Sequence, residues 1–146
     1  MAVNQLLGKM LTTSMPRPQG AYVAPTFGQA KRIAWSCCRE FAGTIPDAKC
    51  HETVLRKDLM GKERIWLLGV ENPDRLRGLY LDYIVLDEYT DIQERMFPEI
   101  IRPALAERNG GGLWLGTPRG YNHFWGIYET ARKVSLANDP EWYDCV

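Results

Sequence analysis

The chain has 146 residues, enough for one domain and short for two, and its 45% apolar content lets it bury a real core. Its 18 basic residues balance 18 acidic ones, which excludes nucleic-acid binding by bulk charge but leaves room for a local basic groove. No apolar run reaches the roughly 20 residues of a membrane span, and "MAVNQLLGKM" lacks the basic head and apolar stretch of a secretory signal, so a soluble cytoplasmic protein is expected.

Val3, Leu6, Leu7, Met10 and Leu11 recur at helical spacing and predict an amphipathic helix. "TTSMPRPQG" (Thr12 to Gly20) breaks it with two prolines. "AYVA" (Ala21 to Ala24) reads as a short buried strand stopped by Pro25. Thr26 followed by Gln29 is a capping box, and the helix it opens is predicted to bury Ala30, Ile33, Ala34, Cys37, Cys38 and Phe41. "HETVLRK" and "ERIWLLGV" predict a hairpin around "DLMGK". "ENPDRLRG" is a polar loop. Tyr83 to Leu86 form the next strand. Asp91 to Asn109 is helical, interrupted by Pro98 and Pro103, and Gly110 to Gly112 close it. "LWLG" (Leu113 to Gly116) reads as a further buried strand, and Tyr121 to Ala137 as a last helix with Phe124, Tyr128 and Ala131 on one side.

Strands and helices in alternation give an α/β class with a mainly parallel sheet flanked by helices, plus the β-hairpin. In such sheets ligands gather beyond the carboxyl ends of the strands. Three of these ends are polar: "PTFGQ", "DEYTD" and "TPRG". If the strands are neighbours, these ends converge on one place.

Of the four cysteines, Cys37, Cys38, Cys50 and Cys145, none forms a C-x-x-C pair. Cys37, Cys38, Cys50 and His51 have no familiar zinc spacing, and adjacent residues rarely reach one metal together. Reduced thiols, two of them on a buried helix face, are the expected state.

"YIVLDEYTD" drives an apolar strand into two adjacent carboxylates, Asp87 and Glu88. One use of that pattern is nucleotide hydrolysis: the Asp holds the water shell of Mg²⁺, and the Glu orients and polarises the attacking water. The bland alternative is a solvated strand end. "LWLGTPRG" places the Thr117 hydroxyl and the Arg119 charge at a second strand end, where an ordinary Pro-x-Gly turn is the competing explanation.

Taken together, "YVAPTFGQAKRIAW", "LRGLYLDYIVLDEYTD", "EIIRPALAERNGGGLWLGTPRGYNHFWGIYE" and "DPEWYDC" resemble the ATPase domain of the large terminase subunit of tailed bacteriophages, in order and spacing. The resemblance implies a partial P-loop NTPase fold of the ASCE type over 1–146, and a hydrolase working with ATP and Mg²⁺. It implies a motor that packs double-stranded DNA into proheads as a homo-oligomeric ring in the bacterial host cytoplasm, with portal protein and small terminase subunit as partners. By position, Asp87 matches the magnesium-associated Walker B aspartate and Glu88 the catalytic glutamate. Thr117 matches the coupling motif, with Arg119 beside it as a nucleotide contact. Arg77 of "LRG" lies where such motors carry an arginine proposed to reach a neighbouring subunit's nucleotide; apart from the resemblance it is a plain surface arginine. Lys31, Arg32 and Arg39 read as a solvated face.

A P-loop requires G-x-x-x-x-G-K-[S/T]. In "VNQLLGKM" Met10 replaces the hydroxyl residue and Val3 the first glycine, and Gly8 lies inside a helix. The expectation is therefore a piece that begins after the P-loop and lacks the following nuclease domain, from a split gene, a misplaced start or a decayed prophage. Such a piece would bind no nucleotide tightly and hydrolyse ATP poorly by itself. The alternatives are a non-catalytic α/β remnant or partner-binding module, and a helicase-type ATPase.

Overall fold

The structure, a computed structural model, describes residues 2–59 and 63–136, except for the side chains of Ala42 and residues 134–136. Six strands form one sheet: β1 (Gln19–Ala24), β2 (Lys49–His51), β3 (Arg56–Leu59), β4 (Glu63–Gly69), β5 (Tyr83–Leu86) and β6 (Gly111–Trp114). Their spatial order is β2-β3-β4-β1-β5-β6. The β4, β1, β5 and β6 strands run parallel, whereas β2, β3 and β4 form an antiparallel meander. The three strands with polar ends are thus adjacent, with β5 between β1 and β6.

Helices cover both faces. The α1 helix (Ala2–Thr12) buries Val3, Leu6, Leu7 and Met10, as its spacing predicts, and leaves Leu11 exposed. It packs with α2 (Phe27–Ala30) and α3 (Ser36–Ala42) against Tyr22, Ala24, Ile65, Leu67 and Val85. On the other face, Ala21, Val23, Leu68, Ile84 and Leu86 meet Leu76, Leu81, Ile92, Met96 and the segment leading into α4 (Arg102–Ala106). Every residue of β1 is buried. That suits a strand with neighbours on both sides and helices on both faces. Burying each large apolar side chain contributes about 1.5–3 kcal/mol.

Several predicted elements differ in frame. Thr26 and Gln29 form the capping box, with both reciprocal bonds present. The helix then passes through a π-helical segment, Lys31–Trp35, before α3. One extra residue per turn rotates the buried stripe, so Trp35 is buried while Ile33 and Phe41 are exposed. A second π-helical segment, Phe97–Ile101, precedes α4, so regular helix starts well after Asp91. "HETVLRK" is not one strand. His51 ends β2, and the chain turns through Leu55, at positive φ, before β3. The strand read as Leu113 to Gly116 runs instead over Gly111–Trp114, and it is half-buried. Its ladder nevertheless continues to Leu115, whose N–H donates to Leu86 O. The last helix, α5, spans His123–Leu136 and lays Phe124 and Ile127 on the second face. The hairpin tip Met60 to Lys62, the extension to Ala137, "DPEWYDC" and Cys145 lie outside the described residues.

Gly69 ends β4 where the chain entering α2 crosses it. A Cβ there would fall 2.1 Å from Phe27 N, so only glycine permits this approach. The crossing fixes the loop after β1 against the sheet, and Glu71 then accepts a hydrogen bond from Phe27 N at 2.9 Å.

Candidate functional site

The carboxyl ends of β1, β5 and β6 lie side by side. Asp87 follows β5, and its N–H donates to Val23 O at 2.8 Å, carrying the β1–β5 ladder one step past the strand. Glu88 then adopts a left-handed backbone, φ 48° and ψ 46°. Such a conformation is unfavourable for a residue with a Cβ and is kept only where its surroundings enforce it. It ends the extended run of the strand, and the Glu88 N–H donates to Asp87 Oδ1 at 3.1 Å. A short 3₁₀ turn, Tyr89–Asp91, follows.

The other oxygen of Asp87 accepts a hydrogen bond from the Tyr22 hydroxyl. Tyr22 stands in the middle of β1 and is 1% exposed. Burial and the bond to Asp87 both raise its pKa, so the phenol is the proton donor of the pair. Asp87 and Glu88 are half-buried.

The loop after β6 is tied to the same turn. Tyr89 N donates to Leu115 O at 2.8 Å, and the Thr90 hydroxyl donates to Thr117 O at 3.0 Å. Gly116 sits against this junction; a Cβ there would be 2.9 Å from Thr90 Oγ1. Arg119 forms an ion pair with the Asp91 carboxylate, so its charge is engaged within the site. Beneath, Tyr89 is buried, which pushes its hydroxyl up to about 12. Its ring takes edge contacts from His123 and Phe124 of α5. His123 Nε2 lies 3.0 Å from Tyr89 O.

Of the five residues singled out in the sequence, four therefore gather here: Asp87, Glu88, Thr117 and Arg119. Arg77 does not join them within this chain. It is exposed in the loop after β4 and pairs with Asp74 at 3.6 Å. Lys31 and Arg32 are exposed, and Arg39 faces Glu52 at 3.8 Å. His51 meets Asp58 at 3.0 Å and Arg56 at 3.2 Å. Burial raises the Cys38 thiol to about 12, the state of an inert core cysteine. Tyr22, Thr90 and Asp91 join the site beside the residues predicted from the sequence. The polar run "EYTD" signals the last two, but nothing beside Tyr22 signals its partner.

Carboxylate oxygens held in fixed directions at a strand end are hard donors, the kind a Mg²⁺ ion or its water shell takes. Asp87 fits such a role. The chain contains no G-x-x-x-x-G-K-[S/T] stretch to cradle phosphates beside it. Among the described residues no helix is long and apolar enough to cross a membrane.

No family model matches the sequence. Over 60 residues, 41% of this chain, it is 40% identical to the large terminase subunits of Thermus phage G20c and Thermus virus P23-45. Those residues make up only 12% of either protein. The large terminase ATPase domain of Thermus phage P74-26 superposes with a TM-score of 0.67 at 26% identity, over 87% of this chain and 56% of that one. The large terminase of bacteriophage HK97 gives a TM-score of 0.75 at 16% identity, over 99% and 31%. A large terminase from a thermophilic bacteriophage, solved in complex with ADP, gives 0.66 at 19%, over 95% and 34%.

Proposed function

We propose, from this likeness in sequence and in fold to the ATPase domains of phage large terminases, that the chain is the acidic and coupling half of an ATP-driven motor packaging double-stranded DNA. The observation that carries the reading is the junction of two strand ends. The acidic turn after β5 and the loop after β6 share the Tyr89–Leu115 and Thr90–Thr117 hydrogen bonds. Chemistry at Glu88 and movement of the Thr117 loop would therefore be linked through the backbone.

Each residue has a defined part. Asp87, with both oxygens oriented, holds the water shell of Mg²⁺. That ion, bound with the nucleotide, supplies neutralisation of phosphate charge. Glu88 orients and polarises the attacking water. Thr117 presents a hydroxyl at the end of β6 and reports the state of the phosphate to its loop. Arg119 contacts nucleotide once released from Asp91. Arg77, exposed and outside the cleft, would serve a neighbouring subunit's nucleotide in a homo-oligomeric ring. DNA, portal protein, small terminase subunit and a nuclease activity belong to the whole motor under this reading.

The test supplies the phosphate cradle. The strand and P-loop of the Thermus phage P74-26 domain are fused before Ala2, and ATP hydrolysis is followed with and without Mg²⁺. The expected result is Mg²⁺-dependent turnover that falls about 10²–10⁴-fold on Glu88→Gln, the usual worth of a general base. The unfused chain is expected to stay near background. Turnover indifferent to Glu88→Gln would overturn the assignment.

A further inference from the structure

The motor reading assigns Asp87 and Glu88, but it leaves unexplained why β1 buries a tyrosine where phenylalanine would fill the same space. Tyr22 is packed among Leu6, Met10 and Val85 in the core on the α1 side of the sheet. A hydroxyl placed there must find a partner, and this one finds Asp87 Oδ2, 65 positions away. Asp87 Oδ1 already accepts from Glu88 N. The carboxylate is thus gripped from two sides, by a neighbouring strand and by its own successor. A carboxylate offers about four lone-pair sites, so roughly two remain for a further partner. The Glu88 residue that donates this bond is itself left-handed, so the grip on Asp87 sits at the point where the strand gives way to the turn.

We propose that Tyr22 is a positioning residue for the acidic pair: its buried hydroxyl holds Asp87 in the orientation that presents its free lone pairs to the water shell of a divalent cation. This rests on the reading of Asp87 given above. Groups that orient a metal-holding side chain from behind typically change metal affinity about 10–100-fold when removed. Tyr22→Phe deletes the hydroxyl and keeps the ring, so packing against α1 is retained while the Asp87 side chain gains freedom to rotate.

The experiment uses the full chain and Mn²⁺ alone, followed by paramagnetic broadening of the Glu88 and Tyr89 amide signals. Wild type is expected to show a saturable midpoint. Asp87→Asn is expected to abolish the site-specific broadening. Tyr22→Phe is expected to raise the midpoint about tenfold, while amide shifts distant from the site stay in place. If Asp87→Asn abolishes broadening and Tyr22→Phe leaves the midpoint unchanged, the role of Tyr22 fails and the reading of Asp87 stands. If wild type shows no saturable broadening, or Asp87→Asn leaves it unchanged, the reading of Asp87 fails first and this inference with it. A second measurement needs no variant. In a Mg²⁺ titration of wild type, the Tyr22 ring carbon bearing the hydroxyl should shift with the same midpoint as the Glu88 amide. A silent Tyr22 overturns the proposal.

Discussion

The β5 and β6 strands lie side by side, run the same way and end in turns bonded to each other, yet they are built differently. In β5, Ile84, Val85 and Leu86 are wholly buried, with β1 on one side and β6 on the other. In β6, Gly111 is exposed and Leu113 and Trp114 are only half-buried; among the described residues it is an edge of the sheet. The acidic pair rides on the first strand and the Thr117 loop on the second. A central strand cannot shift without disturbing both neighbours, whereas a loop hung from an edge strand can move at the expense of a few bonds. Under the proposed reading, the arrangement would keep the carboxylates fixed and leave the loop as the part able to answer them.

The largest effect that sharpens this contrast is in the cores of the two strands. Leu86→Ala empties a fully buried site and should cost about 2–5 kcal/mol. Leu113→Ala, half-buried, should cost about 1 kcal/mol, well under the 1.5–3 kcal/mol of a fully buried side chain. Denaturant unfolding of the two variants measures both, and equal losses would erase the distinction between centre and edge. The next effect is at the junction itself. Gly116→Ala would press a methyl to within 2.9 Å of Thr90 Oγ1 and 3.3 Å of Tyr89 N. A destabilisation of about 1–3 kcal/mol is expected, with faster hydrogen exchange at the Tyr89 amide and unchanged exchange at Val85. Faster exchange at both would mean that the loop and the central strand give way together. The smallest effect is at the rim. Arg119 and Asp91 are both exposed enough that their ion pair should contribute only about 0–1 kcal/mol. Arg119→Ala should therefore leave the melting temperature nearly where it was, and a large drop would show that the loop depends on this pair more than on the backbone bonds.

The parts legible in the sequence are those whose causes are local. Thr26 and Gln29 announce their own capping box. Tyr83 to Leu86 announce a buried strand by composition, and the carboxylates after it mark where that strand meets the cleft. The rest depends on partners far along the chain. The frame of β6 is set by pairing with β5, where Gly112 stands opposite Ile84, so two glycines that read as a closing loop belong to the ladder. The π-helical turn at Lys31–Trp35 rotates the stripe so that Trp35 is buried and Ile33 exposed, which plain helical spacing does not foresee. Tyr22 reads as one more apolar strand residue, because its hydroxyl meets a carboxylate that is distant in sequence. The left-handed Glu88 is the hardest to foresee, since glutamate has no local preference for that conformation.

The order of the strands also governs how the chain can assemble as it is made. Among the described strands β1 comes first in the chain, yet both its neighbours come much later: Gly20 waits for Ile65 on one side and for Tyr83 on the other. The meander pairs Lys49 with Asp58 and Leu59 with Glu63, so it can close before β5 and β6 have been made. Local closure of that kind precedes long-range pairing because less chain entropy is lost. The meander thus forms a template onto which β1 docks through β4. Only then does β5 find a partner, and β6 joins after it. The junction of the acidic turn with the loop after β6 thus forms later than the rest of the described sheet, so an intermediate stalled before β6 docks would hold Asp87 against β1 and lack the Tyr89–Leu115 and Thr90–Thr117 bonds.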